Sequence, residues 1–343
     1  LDATDPAVVT LKARAAIARG RYELADGWLR PVALRAPGSD AALELGLLAQ
    51  YLGRNEASAI LTRVAAQAGD SSDPVDIARG ARALRALGRL QDANAAYRLA
   101  ATRAPMDLAI NTGWGELFLQ TEQDAEALKS FQQVVEADDR WVPALVGAAR
   151  ALGDDNPPQA AKVAQRALEV NPSSVEAMVF LADQASDSDH RPEARQLLAK
   201  ALAVNPNSLE VHARLAALAA VEDKQGEHDA EVAKALAISP NYSEVYRVSG
   251  QFVAHAYRFD EAVALTRRGL SIEPDNAKAL ADLGVYLLRT GDEPGARTAL
   301  EQSFKLFPYS VSSLNLLKMM DTLDTFETFT DGEFIFRMHK DEA

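Results

Sequence analysis

The set nearest to a metal motif is His339-Lys340-Asp341-Glu342-Ala343. A zinc peptidase of the HExxH type presents two histidines four residues apart on one helix face, with a glutamate beside the first; the inverted form is HxxEH. Here Glu342 stands three places after His339, and Ala343 takes the position of the second histidine, so neither form is spelled. His190, His212, His228 and His255 are scattered along the chain and read as surface or packing residues. Asp183, Asp187, Asp189 and His190 form the densest carboxylate group, with oxygens suited to a hard cation. A calcium loop also needs its central glycine and closing glutamate, which are missing, so the group reads as a solvated turn between helices. No nucleophile elbow, phosphate-binding glycine loop or Ser-His-Asp set is present. With no cysteine in 343 residues, thiolate catalysis, disulfides and cysteine metal sites drop out. The expectation is a chain without catalysis and without a cofactor.

The elements behind these residues are helical. The chain is 48% hydrophobic and 25% charged but only 6% aromatic, a composition that suits helices and not disorder. Its net charge of -13 argues against nucleic acid as a partner, because phosphate binding needs clustered Lys and Arg. No stretch reaches the roughly 18 apolar residues of a membrane span. The first residue is Leu1, which reads as a processed or truncated start, with room for a removed signal peptide or anchor. Cytoplasmic and periplasmic settings fit equally, and the Ala- and Arg-rich style fits a bacterial source.

Pro172, Pro206, Pro240, Pro274 and Pro308 stand 34 residues apart, each ending the same pattern of small and large residues. Extended along the chain, the pattern gives nine helix-turn-helix units, about 6–39, 39–72, 74–107, 108–141, 141–174, 175–208, 209–242, 243–276 and 277–310. The fifth slips by one residue, absorbed in its turn at 153–159. Pro31 falls inside the second helix of the first unit, where a kink or early break is expected. Gly250 and Gly284 share a position with Ala182 and Ala216, while Ala194, Ala262 and Ala296 share another. Small residues at fixed points let facing backbones approach, and the apolar stripes are buried only by stacking. Ser173 with Glu176, Asn207 with Glu210 and Asn241 with Glu244 have capping-box spacing.

A 34-residue unit with Leu280, Leu283, Gly284, Leu287, Gly291, Ala296, Leu300 and Pro308, matched by Trp114, Gly115, Phe118, Ala127 and Phe131, resembles the tetratricopeptide repeat. The least typical copies carry Ser58 and His228 where alanine is usual. The resemblance covers residues 6–310. It implies an all-α, right-handed α-solenoid of about nine repeats, its concave face lined by the first (A) helices, binding a protein or an extended peptide. Repeat positions 2, 5, 9, 12 and 13 would face that groove. They place Arg14, Arg82 and Arg85 in a basic band, then Glu176, Asp183 and Asp187 in an acidic one. Arg247, Gln251, His255, Lys278 and Arg289 form a second basic band. Against this stands the reading of ordinary solvated helix faces, with Glu176 a first-turn residue favoured by the helix dipole. The Asn and Lys clamp of chaperone-binding members is not found at the corresponding positions, which disfavours capture of a chaperone tail.

Residues 311–343 leave the pattern. Residues 311–323 read as one more A helix, with Leu314, Leu317 and Met320 on one side. Phe334, Phe336 and Met338 then alternate as a strand after a tight Asp331-Gly332 turn. Two readings stay open: the start of a truncated second domain, or a cap in which Phe334 and Phe336 fold back over the last repeat. The tail also resembles the segment that leads from such repeats into an HExxH metallopeptidase-like domain in bacterial proteins. The chain is therefore expected to be an interaction scaffold or, alternatively, the substrate-recruiting arm of a larger enzyme. Self-association through the end repeats is a further possibility.

Overall fold

The computed structural model describes residues 5–153 and 155–342. Its helices come in pairs: α1 (Pro6–Ile17) with α2 (Tyr22–Arg35), α3 (Asp40–Tyr51) with α4 (Ala57–Ala68), and α5 (Pro74–Ala86) with α6 (Leu90–Arg103). Next come α7 (Leu108–Gln120) with α8 (Asp124–Ala137), α9 (Val142–Leu152) with α10 (Pro157–Val170), and α11 (Val175–Asp187) with α12 (Arg191–Val204). The last pairs are α13 (Leu209–Val221) with α14 (Gln225–Ile238), α15 (Glu244–His255) with α16 (Phe259–Ile272), and α17 (Ala277–Thr290) with α18 (Glu293–Leu306). A lone α19 (Val311–Leu323) and the strands β1 (Phe326–Asp331) and β2 (Phe334–His339) follow. The chain forms two compact units, residues 5–245 and 246–342, described one at a time.

Most A helices begin on oxygen side chains that satisfy first-turn amides; α9, which starts after Trp141, has no such cap. Asp5, Ser39, Asp73, Asp107, Ser174, Ser208, Asn276 and Ser310 each accept from a backbone N–H just downstream. The caps of α11 and α13 lie one residue after those expected from spacing. The Ser174 hydroxyl accepts from the Ala177 amide at 3.3 Å, and that of Ser208 from Val211 at 3.4 Å. Glu176 and Glu210 then sit two places on, accepting from the cap hydroxyls instead of closing a capping box. The reason is the turn itself: Pro172-Ser173 and Pro206-Asn207 are used up in reversing the chain, so the next serine starts the helix. Among the described residues, the A–B turns of eight of the nine repeats contain a residue with left-handed backbone. Gly20, Gly53, Gly88 and Gly291 supply it without strain, while Glu122, Asp189, Asp223 and Tyr257 adopt it at φ of 56–60°. In the fifth repeat Asp154 lies outside the described residues. Of the kink or early break expected at Pro31, the early break does not occur. α2 runs through it, because Pro31 and Gly27 both face solvent and the carbonyl deprived of its amide partner can be hydrated.

Packing follows the small-residue positions. Ala127, Ala160, Ala194, Ala262 and Ala296 are fully buried. The Phe131 ring lies between two helices that carry glycine where they meet it. A β-carbon on Gly147 would come within 2.4 Å of the ring, and one on Gly115 within 2.7 Å. Gly284 admits Leu300 in the same way. Within residues 5–245, consecutive A helices touch one another, α1 on α3, α3 on α5, and so on to α11 on α13. The extensive contacts of the B helices are instead to the A helices on either side. Elements that approach most closely lie on the inside of a curved stack, so the A helices line its inner face.

In the second unit α19 packs on α18, with Met320 buried. β1 and β2 form an antiparallel hairpin that pairs Phe329 with Phe336 and turns at Gly332. Phe334 is 70% and Phe336 49% exposed, so neither ring is buried. The hairpin is instead tied to α18 by an ion pair between Arg337 and Glu293.

Candidate inner-face site and comparison with known proteins

The charged residues of the A helices are organised as a ladder between neighbouring repeats. Arg14 on α1 reaches Glu44 on α3 through Nε and Nη2, both at 2.9 Å. Arg82 on α5 meets the same Glu44 oxygen from the other side, at 3.3 Å. The Glu44 side chain is only 10% exposed. Two repeats further on the pattern recurs. Glu116 on α7 lies 3.7 Å from Arg85 of α5 and 3.2 Å from Arg150 of α9. Four guanidinium groups thus surround two carboxylates, and this part of the inner face is net positive.

The acidic band is interrupted by a cation that sequence reasoning did not bring in. Arg214 on α13 grips Asp183 with two bonds, Nε to Oδ1 at 3.1 Å and Nη2 to Oδ2 at 2.9 Å. Burial penalises its charge, but Asp183, Tyr242 and Glu210 hold the guanidinium above its ordinary value. Glu176 and Asp187 remain exposed at either end of α11. Asp189 pairs with Arg191. Among the described residues no three His, Asp or Glu side chains gather as a metal site, and no helix is long and apolar enough to cross a membrane.

In the second unit Arg247 and Gln251 share one oxygen of Asp282, each at 3.1 Å. Burial, with Asp282 beside it, pushes the nearby Tyr286 hydroxyl up. Arg289 lies over the Phe259 ring at 5.9 Å, and His255 and Lys278 are exposed. The partners Glu44, Glu116, Arg150, Arg214 and Asp282 were not among the expected site residues. Their signal is opposite charge about one repeat away: Arg82, Glu116 and Arg150 alternate in sign at intervals of 34.

A second polar cluster joins repeats far apart in sequence within residues 5–245. The Tyr22 hydroxyl donates to the Asn207 carbonyl at 2.9 Å, and Asn205 Nδ2 donates to Tyr22 at 3.3 Å. Asn207 Nδ2 donates to the Gly20 carbonyl at 2.9 Å. The Tyr51 hydroxyl donates to Glu210 at 3.0 Å and accepts from the Leu209 amide at 2.8 Å. Burial, reinforced by Glu210, pushes that hydroxyl far up. One repeat further along both sides, Asn241 Nδ2 donates to the Gly53 carbonyl at 3.4 Å. The turns of the first two repeats therefore sit against the ends of the sixth and seventh, and the inner face follows a closed turn. Nothing in the repeat pattern announces this cluster.

Models of the family described as Tetratricopeptide repeat match residues 79–140, 151–220 and 256–311, together more than half of the chain. Over 63 residues the chain is 36% identical to Protein CTR9 homolog of Arabidopsis thaliana; the stretch is 18% of this chain and 6% of that protein. Among solved structures, a chain of the APC/C hetero-tetramer Cut9-Hcn1 superposes with a TM-score of 0.55 at 17% identity. The match covers 87% of this chain and 58% of that one. A tetratricopeptide repeat protein from Parabacteroides merdae ATCC 43184 gives 0.48 at 16% identity, covering 82% of this chain and 98% of its own. At 17% identity the likeness to the Cut9-Hcn1 chain is one of fold. Tetratricopeptide repeat proteins generally mediate protein–protein interaction and are typically non-catalytic. With its repeat spacing, paired helices and matching family models, the chain belongs to the tetratricopeptide repeat family.

Proposed function

We propose that the chain is a non-catalytic protein-interaction scaffold whose first five repeats take an acidic, extended segment of a partner protein along the inner face. The observation that carries this reading is the excess of cations there: Arg14, Arg82, Arg85 and Arg150 against Glu44 and Glu116. In a chain of net charge -13, a local positive band focuses acidic ligands on one place while the remaining surface repels them. The guanidinium groups are already oriented by the two carboxylates and keep further N–H donors, so a partner carboxylate meets pre-positioned forks. Beyond the fifth repeat Arg214 neutralises Asp183, and the exposed Glu176 would disfavour a uniformly acidic ligand.

The test uses a fluorescein-labelled glutamate-rich decapeptide and anisotropy titrations at low and moderate salt. Arg82→Glu combined with Arg85→Glu is expected to weaken binding about tenfold or more, since each reversal at a half-exposed site removes ~1 kcal/mol. Wild-type affinity is expected to fall with salt. Unchanged affinity in the double variant, with helicity intact by circular dichroism, would overturn the reading. Arg247→Glu, made separately, asks whether the second unit takes part.

A further inference from the structure

We infer that the contact between the first two repeats and the ends of the sixth and seventh is a clasp, holding the curved stack closed and opening as a unit. A solenoid is held together by interfaces between neighbours, so its curvature is elastic: small rotations between repeats add up over a turn. A contact between repeats five apart acts directly on that sum. The interfaces between neighbouring repeats combine buried apolar clusters with the ion pairs of the ladder. The clasp is instead made of neutral hydrogen bonds from Tyr22, Asn205, Asn207 and Asn241 and one from Tyr51 to the Glu210 carboxylate, with Ile238 adding an apolar contact to the N-terminal core. Bonds of this kind exchange with water at little net cost, so the clasp can part without unfolding any repeat.

The fit is close. A β-carbon on Gly20 would lie 2.3 Å from Asn205 Oδ1, and one on Gly53 would lie 2.7 Å from Asn241 Oδ1. Both glycines also hold left-handed backbone, so each serves its own A–B turn and the clasp at once. The paired arrangement, Gly20 with the 205–208 loop and Gly53 with the 239–241 loop, repeats with the period of the array. Closing the first pair therefore sets the register of the second. Opening widens the turn and gives lateral access to the inner face. That consequence rests on the reading of the inner face as the binding surface; the clasp itself does not.

The test needs no partner. The chain has no cysteine, so Lys12→Cys and Lys200→Cys, both at exposed positions, give two clean spin-label sites on the two sides of the clasp. Pulsed electron–electron resonance is expected to give one narrow distance distribution for the otherwise wild-type chain. Tyr22→Phe with Tyr51→Phe keeps both rings and removes their hydrogen bonds. It is expected to shift the distribution to longer distances and broaden it at unchanged helicity. Asn207→Ala, on an exposed loop residue, is expected to do the same and guards against a folding defect in the tyrosine variant. A distribution that stays narrow and unshifted in both variants would overturn the clasp. Loss of peptide binding in the arginine variant bears only on the inner face.

Discussion

Replacing Gly147 with alanine sets two well-known effects against each other. In a helix interior the substitution normally stabilises by ~0.5–1 kcal/mol, because glycine has more backbone freedom to lose. At Gly147 the new methyl would lie 2.4 Å from Cε1 and Cζ of Phe131, about 1 Å inside ordinary contact. The ring has nowhere to go: it is fully buried, and Gly115 presses on the same edge, with its β-carbon position 2.7 Å from Cε1. Overpacking of this kind costs roughly 1–3 kcal/mol, so the net change is a loss of up to about 2.5 kcal/mol. Gly27 is the internal control. It lies in α2 with nothing within 4 Å of a built β-carbon, so Gly27→Ala is expected to stabilise by ~0.5–1 kcal/mol. In a Phe131→Leu background the methyl at 147 gains room, and Gly147→Ala is expected to become neutral or stabilising. The coupling in that double-mutant cycle is then ~1–3 kcal/mol. Urea unfolding followed by tryptophan fluorescence suits the measurement, because Trp141 packs in the same cluster as Phe131 and Trp114 stands on the neighbouring α7. Because a repeat array can unfold in parts, amide exchange on α7 to α9 should accompany the melts. If Gly147→Ala stabilises as much as Gly27→Ala, the clamped ring is not what holds these repeats in register.

Tyr97 occupies the place in the third repeat that Phe131 holds in the fourth, and its buried hydroxyl has no hydrogen-bond partner. Tyr97→Phe is expected to raise stability by about 1 kcal/mol in the same urea assay, and a loss of that size would show that the hydroxyl is satisfied. Acid should destabilise the chain through Asp26 and Glu222. Hydrogen bonds from Arg30 and Arg195 respectively hold these carboxylates below their ordinary values of 3.8 and 4.5. A depressed folded-state value means that the unfolded chain binds the proton more readily. The contribution is therefore full above those ordinary values and is lost as pH falls through the lower folded-state ones. Urea midpoints between pH 7 and pH 3 should fall, and less steeply in Asp26→Asn with Glu222→Gln; an equal slope would refute the assignment.

The repeat frame was legible because its causes are local. Proline ends a helix wherever it falls late in the unit, and Ala194, Ala262 and Ala296 mark a close approach that every copy needs. The caps were legible in kind but displaced by one residue, since spacing alone does not say whether Asn207 starts α13 or completes the preceding turn. The structure gives the cap to Ser208 and uses Asn207 on Gly20. The cations stand at groove positions of their own repeats, but their anions lie one repeat away, where no position within a single repeat points to them. The bond from Arg14 to Glu44 crosses between repeats. The clasp was out of reach for a different reason. Which repeats meet after a full turn depends on a small rotation summed over five interfaces, and no single residue encodes that sum.

The ladder bears on how a binding surface can be built from buried charge. A carboxylate such as Glu44, with its side chain 10% exposed, gives up much of its hydration, and well-packed apolar residues often do as well for stability. Stability is therefore a weak reason for the arrangement, whereas geometry is a stronger one. Arg82 gives Glu44 one bond at 3.3 Å out of five N–H donors, and Arg85 meets Glu116 at 3.7 Å. Each guanidinium is thus drawn towards a carboxylate without being saturated. A long arginine side chain that is already fixed loses less rotamer freedom when a ligand arrives. Each carboxylate also joins two or three successive A helices, so the spacing of the cations follows the curvature of the stack. A change in curvature, such as release of the clasp would allow, moves the arginines relative to one another. On the two proposals above, the inner face and the clasp are therefore coupled through the spacing between repeats. A ligand that prefers one spacing must shift the clasp equilibrium by the ratio of its affinities for the closed and open turns.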